Sequence, residues 1–327
     1  MENDELLRVE HLSKYFPQKY GIIERIKREP VKNLKAVEDV SFTIKKGENM
    51  GLVGESGCGK STLAKCLLRL TSVTEGKIIL NGKEISSLKG EELRAVRPEM
   101  QMIFQDPYSS LNPRMSVYDT LEEVLKFHKA VPNEDLPKRI KELLNICGLT
   151  YDVKDRYPGE FSGGQRQRVG IARAIALNPS FIVADEPVSA LDVSIQAQIL
   201  NLLTSLQTQL NQTLLFISHD LQVIRHITKK VEVMYLGSIV ELGETEDVFK
   251  HPYHPYTDIL MKASPKLDPR AKTKKYVIKG EPPSPIDSPT GCKFHTRCPY
   301  AKKICTVQKP VLKEISKGHF CACHFPL

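Results

Sequence analysis

The sequence predicts an α/β protein with a mostly parallel sheet covered by helices, on three observations. A strand, a glycine-rich loop and a helix follow one another over residues 49–70, and helix and strand periodicities alternate from 165 to 218. Between these blocks, from about 106 to 165, helical periodicity runs without a strand and predicts a helical insert.

At 327 residues the chain is long enough for one large core with an appendage, or for two modest domains. Its 41% hydrophobic and 26% charged residues are those of an ordinary folded protein, which excludes disordered, collagen-like and coiled-coil classes. The net charge of +8 suits nucleic acid, an anionic membrane surface or a basic soluble protein equally, and decides nothing by itself. Every apolar run is broken by charge well before the roughly eighteen residues a bilayer span needs. The N-terminus is acidic where a signal peptide would be basic and then apolar, so a cytoplasmic location is expected.

Residues 7–48 read as strands of alternating or β-branched character, clearest at 40–44. The stretch 18–35 interrupts them with Lys19, Arg25, Lys27, Arg28, Lys32 and Lys35 around Ile22, Ile23 and Ile26. It reads as a solvated basic loop or short amphipathic helix, in preference to a contact with lipid headgroups. A buried strand at 49–54 feeds the glycine loop, and a helix follows at 61–70. Strands are expected at 77–80 and 100–104, and helices at 117–127 and 138–147 within the insert. Then come a helix at 165–177, a strand at 181–184, a helix at 194–209 and a strand at 213–218. Beyond residue 250 Pro252, Pro255, Pro265, Pro269, Pro282, Pro283, Pro285 and Pro289 break any long element. The expected organisation is a domain over 1–250 and a C-terminal extension over 251–327.

Gly54, Glu55, Ser56, Gly57, Cys58, Gly59, Lys60, Ser61 and Thr62 match G-x-x-x-x-G-K-[ST] between a strand and a helix, the context that this pattern requires. The glycines let backbone amides turn inward around phosphate and the helix N-terminus favours negative charge. Lys60 is expected to reach the β- and γ-phosphates of ATP, and Ser61 to ligate Mg²⁺. The strand at 181–184 ends in Asp185 and Glu186, one carboxylate to steady Mg²⁺ and one to polarise an attacking water. Ser162, Gly163, Gly164 and Gln165 open a helix with a glycine pair, which is either a simple cap or a second anion nest. As a nest it would place the nucleotide between two chains, each offering one loop.

In this order, the loop at Gly54, Gln105 after a strand, the Ser162-Gly-Gly-Gln165 signature, Asp185 with Glu186, the turn 189–192 ending in Asp192 and an isolated His219 closely resemble the ATP-binding subunit of an ABC transporter. The resemblance implies a P-loop fold with an N-terminal antiparallel β subdomain. It implies that Gln105 contacts Mg²⁺ and the attacking water, that His219 holds the γ-phosphate, and that Phe16 stacks on adenine, with Tyr15 the alternative. Phe161 stands where the family has Leu, an apolar exchange that leaves the signature donors intact.

The extension resembles the oligopeptide and dipeptide permease branch in residues 251–257, 279–285 and 291–305 and in Cys323-His324. That branch carries a four-cysteine site associated with an iron–sulfur cluster, which implies Cys292, Cys298, Cys305 and Cys323 as ligands of [4Fe–4S]. Chemistry alone leaves zinc open, because the spacing matches neither ferredoxin runs nor zinc knuckles, and Cys321 is a rival for the fourth ligand. The implied partners are a second ABC ATPase subunit, in a heterodimer with a paralogue, two transmembrane permease subunits and an extracytoplasmic peptide-binding protein, with no nucleic acid. The implied place is the cytoplasmic face of the membrane. Rival readings are an importer of nickel chelates or opines, and a soluble ABC ATPase acting on ribosomes or DNA. The latter usually carries two cassettes or a long coiled-coil insertion, neither of which this sequence has.

Overall fold

In a computed structural model, residues 4–18, 33–263 and 280–327 are described, so most of the basic stretch 18–35 lies outside the described residues. In chain order the elements begin with β1 (Glu5–Pro17), β2 (Asn33–Lys45), β3 (Asn49–Val53), α1 (Lys60–Leu67), β4 (Glu75–Leu80), β5 (Lys83–Glu84) and α2 (Gly90–Val96). They continue with β6 (Met100–Ile103), α3 (Val117–Phe127), α4 (Leu136–Ile146), α5 (Gly163–Ile175), β7 (Phe181–Asp185), α6 (Val193–Leu210) and β8 (Thr213–Ser218). Last come α7 (Leu221–Ile227), β9 (Lys230–Tyr235), β10 (Ser238–Glu244), α8 (Thr245–Lys250), α9 (Pro255–Ala263), α10 (Lys303–Val307), β11 (Lys313–Ser316) and β12 (His319–Cys321).

Two compact units divide the chain. The first comprises residues 1–6, 44–49 and 87–216, and the second residues 7–43, 50–86 and 217–327. In the first unit the strand order is β8-β7-β6. β6 and β7 pair in parallel from Met100 opposite Phe181 to Ile103 opposite Ala184. This register makes the segments after Ile103 and after Ala184 emerge side by side, as parallel strands do when their C-terminal ends align. β7 and β8 are buried at every position, the continuous apolar text of strands covered on both faces. The helical insert is present as α3 and α4, both amphipathic. α3 buries Val117, Thr120, Leu121 and Leu125, and its Ser116 and Asp119 form a capping box.

The second unit holds an antiparallel sheet of order β2-β1-β4-β5, the N-terminal β subdomain that the family resemblance implies. Leu7 and Val9 alternate inward along β1 until a register shift between Glu10 and Ser13, where His11 adopts φ 49 and Leu12 takes over the buried face. The same unit contains a run of strands β11-β12-β10-β9-β3. β3 and β9 are parallel, with Val53 opposite Val233, whereas β10 pairs antiparallel with both β9 and β12. Residues 319–321, far into the extension, therefore add a strand beside β10.

Several features depart from the periodicity reading. β9 and β10 have no counterpart among the expected strands. Pro255, expected only to break structure, is the first residue of α9, where its missing N–H has no intrahelical acceptor to lose. Among the described residues no helix is long and apolar enough to cross a membrane.

Candidate functional site

In the second unit, β3 delivers the chain into Gly54 with all five of its residues buried. Gly59 stands at the N-cap of α1 with φ 109, and a Cβ there would strike the backbone oxygen of Ala36 in β2, so the turn admits only glycine. α1 begins at Lys60, and the amides of its first turn have no intrahelical acceptor, which is the arrangement that receives phosphate. Lys60 is buried, and its Nζ donates to the carbonyls of Gly54 at 2.8 Å and Glu55 at 3.0 Å, fixing one positive charge inside the loop. Ser56 and Gly57 are exposed at the tip, Ser61 and Thr62 are half-buried, and Cys58 turns inward, where burial pushes its thiol up.

Sequence reasoning missed what braces this loop. The backbone N–H of Glu55 donates to the Tyr256 hydroxyl at 2.9 Å. The Glu55 carboxylate receives both terminal nitrogens of Arg297, at 2.8 and 3.0 Å, and the Arg297 side chain is 5% exposed. The only sequence signal was that Tyr256 and Arg297 lie inside the two motifs of the extension, 201 and 242 positions from Glu55.

Phe16, near the end of β1, is 37% exposed with the Lys14 ammonium 4.8 Å from its ring centroid, while Tyr15 is half-buried. An exposed ring beside a cation suits stacking on a flat base. His219 is exposed just after β8, in a turn where the Ser218 hydroxyl accepts from the Asp220 amide at 2.9 Å and Asp220 caps α7.

The first unit carries the carboxylates. Asp185 is buried at the end of β7, and Glu186 follows in the left-handed region at φ 46. A non-glycine residue held there stores strain, which is characteristic of functional sites. Gln105 Nε2 donates to Glu186 Oε2 at 2.9 Å, the direct outcome of the β6–β7 register. Ser162 caps α5: its hydroxyl accepts from the Gln165 amide at 3.3 Å while Gln165 Oε1 accepts from the Ser162 amide at 3.1 Å. The glycine pair has its own packing reasons, since a Cβ at Gly164 would lie 2.5 Å from Ile195 Cγ2 and one at Gly163 3.1 Å from Leu191. Asp192 caps α6, accepting from the Ile195 amide at 3.0 Å and the Ser194 hydroxyl at 2.8 Å, and these donors hold its carboxyl below the usual range.

The iron–sulfur expectation is overturned. Cys292, Cys298, Cys305 and Cys323 do line one cavity, with His254 and Phe294, whereas Cys321 is buried in β12. That cavity measures about 10 Å³, room for about one water molecule. Burial raises Cys292 to about 11 and pushes Cys298 and Cys323 upward. Among the described residues no group of three or more His, Cys, Asp or Glu is disposed to hold a metal ion. Neither [4Fe–4S] nor zinc fits these side chains, and all eight cysteines are free thiols.

Comparison with known proteins agrees with the geometry. The family described as ABC transporter matches residues 37–189, and the family described as oligopeptide/dipeptide transporter, C-terminal region, matches residues 240–305. The oligopeptide transport ATP-binding protein AppF of Bacillus subtilis is 50% identical over 98% of this chain and 97% of its own length. The probable peptide ABC transporter ATP-binding protein y4tS of Sinorhizobium fredii is 49% identical over 98% of this chain and 90% of its own. Among solved structures, the dimeric post-hydrolysis state of the ATP-binding cassette MJ0796 bound to ADP and Pi aligns with a TM-score of 0.63 and 28% identity. It covers 73% of this chain and 99% of that one.

Proposed function

We propose that this chain, which belongs to the ABC transporter ATPases of the oligopeptide and dipeptide branch, works as one half of an ATP-driven pair that powers peptide import. The chain is an ATP-hydrolysing subunit of a peptide ABC importer. The observation that carries the reading is the presence, in one chain, of the glycine cradle at Gly54–Thr62 and the peptide-transporter C-terminal region at 240–305.

In this reading the loop amides and Lys60 hold the phosphates of ATP, and Phe16 stacks on its base. The donors suit Mg²⁺, since a hydroxyl, an amide oxygen and a buried carboxylate are hard oxygen ligands: Ser61, Gln105 and Asp185 would hold it. When bound, Mg²⁺ neutralises charge on the transferring phosphoryl group. Glu186 takes the proton of the attacking water, with Gln105 fixing the direction of its carboxylate. His219 holds the γ-phosphate. Ser162, Gly163, Gly164 and Gln165 serve the nucleotide of a partner subunit, and Asp192 lies at the seam. The dimeric ADP- and Pi-bound cassette to which this chain is similar supports such pairing.

Two subunits, this one and a paralogue, close head to tail around ATP and reopen after hydrolysis. They drive two membrane permeases fed by a peptide-binding protein, with this chain peripheral on the cytoplasmic face. The chain is read as an ATPase domain over 1–250 with an extension over 251–327, the peptide-transporter C-terminal family match lying at 240–305 and the ABC transporter match at 37–189.

Reconstitution tests the reading. The chain, its paralogue, two permeases and the binding protein in liposomes should accumulate a radiolabelled tripeptide only with ATP on the ATPase side. ATP-driven uptake of a nickel chelate with no peptide uptake would overturn the cargo assignment.

A further inference from the structure

We propose that the C-terminal extension sets the affinity of the phosphate loop for ATP, with Arg297 and Tyr256 acting as positioning residues through Glu55. The inference rests on the reading of Gly54–Thr62 as the phosphate loop.

Glu55 is gripped at all three of its polar groups. Its carbonyl accepts from Lys60 Nζ at 3.0 Å, its amide donates to the Tyr256 hydroxyl at 2.9 Å, and its carboxylate is bound in two places by Arg297. Two of those three partners come from beyond residue 250. Fixing both the N–H and the C=O of one residue fixes its peptide planes, and the conformation of the following turn depends on them. A phosphate cradle requires its amides to converge before the ligand arrives, and a loop so held loses less entropy on binding.

The clamp is itself rigid. Tyr256 is fully buried and packs on Tyr235 and Phe294, with ring centroids 4.7 and 5.4 Å away. Arg297 also donates to the Tyr235 hydroxyl at 3.4 Å. Its position follows from two consecutive turns, in which the His295 amide donates to the Cys292 carbonyl and the Arg297 amide to the Phe294 carbonyl, each at 3.0 Å. Lys293, in the same turn, donates to the Leu236 carbonyl at 2.6 Å and pairs with Glu38 at 2.7 Å, anchoring the segment on β2 and on the turn between β9 and β10. Bidentate pairing of an almost fully buried guanidinium is specific in geometry, and lysine cannot reproduce it fully.

The test measures binding of a fluorescent ATP analogue to the full-length chain with Mg²⁺, together with thermal melting, for Glu55→Gln, Arg297→Ala, Arg297→Lys, the double variant Glu55→Gln/Arg297→Ala, and Lys60→Ala. Each of Glu55→Gln and Arg297→Ala should weaken binding about tenfold. The double variant should be no worse than the weaker single, because both remove one interaction. Arg297→Lys should recover part of the affinity, and in the assembled transporter KM for ATP should rise more than kcat falls.

Affinities within about twofold of wild type in both singles, or effects that multiply in the double, would overturn the proposal. The Glu55 side chain is half-buried where that of Arg297 is almost fully buried, so Glu55→Gln decides the matter should Arg297→Ala not fold. Loss of binding in Lys60→Ala alone sinks the clamp and leaves the loop reading standing. Unchanged binding in Lys60→Ala sinks both.

Discussion

Gln105 and Glu186 are joined by a 2.9 Å hydrogen bond from Nε2 to Oε2, across 81 positions of sequence. The bond exists because β6 and β7 end in step, and it points the carboxylate of a residue already held at φ 46. Replacing Gln105 by Ala should lower kcat for ATP hydrolysis about tenfold, a loss of ~1.4 kcal/mol in transition-state stabilisation. The check is steady-state phosphate release by the assembled ATPase pair, and a wild-type kcat would remove Gln105 from the mechanism.

Ser162 separates a structural role from a functional one. As a helix cap its loss costs about 1 kcal/mol of stability, visible as a small fall in melting temperature. As part of a site completed by a partner chain, Ser162→Ala should leave ATP binding by the isolated chain intact and depress turnover of the assembled pair. Normal turnover with only the stability loss would reduce the signature to a cap.

Glu38 makes a prediction in pH. Burial works to raise its pKa, but Lys293 and Lys35 together outweigh burial and hold it at about 2. Burial also lowers Lys293 despite Glu38. A carboxylate whose folded pKa lies below its unfolded value contributes stability that is complete above the unfolded pKa and lost as pH falls toward the folded one. Stability should therefore fall between about pH 4.5 and about pH 2, and less steeply in Glu38→Gln, as followed by urea unfolding across that window.

Glu241 is a buried carboxylate that accepts from the Tyr253 amide at 2.7 Å, the His254 amide at 3.0 Å and the His319 ring at 2.7 Å. Glu241→Ala should cost about 3 kcal/mol, because it strips three buried donors of their acceptor. Thermal melting of the full chain is the check, and an unchanged transition would mean that the donors find other acceptors.

The same residue explains part of what could not be read from the sequence. Glu232 and Glu241 are fully buried within β9 and β10, so charges where apolar residues were expected hid both strands from a periodicity argument. Glu241 is tolerated because the Tyr253 and His254 amides and the His319 ring, 78 positions away, all donate to it. The glycine loop was legible for the opposite reason. The collision awaiting a Cβ at Gly59 is local and absolute, and it leaves a pattern of glycines at fixed spacing. Asp185, Glu186 and Ser162 were legible because each sits where a strand ends or a helix begins.

The cysteines show the limit of spacing. The family resemblance, not the spacing, implied that Cys292, Cys298, Cys305 and Cys323 meet, and neither showed that the cavity they line measures only about 10 Å³. The grip of Arg297 on Glu55 left no signal beyond the place of Arg297 in a motif of the extension, since nothing in either local sequence names the other as partner.

The central claim, that this chain hydrolyses ATP with Glu186 as the base, is tested most directly by comparing wild type and Glu186→Gln in the assembled pair. Turnover in the variant should fall at least about a hundredfold while its affinity for ATP stays within about twofold. Unchanged turnover in Glu186→Gln would contradict the account.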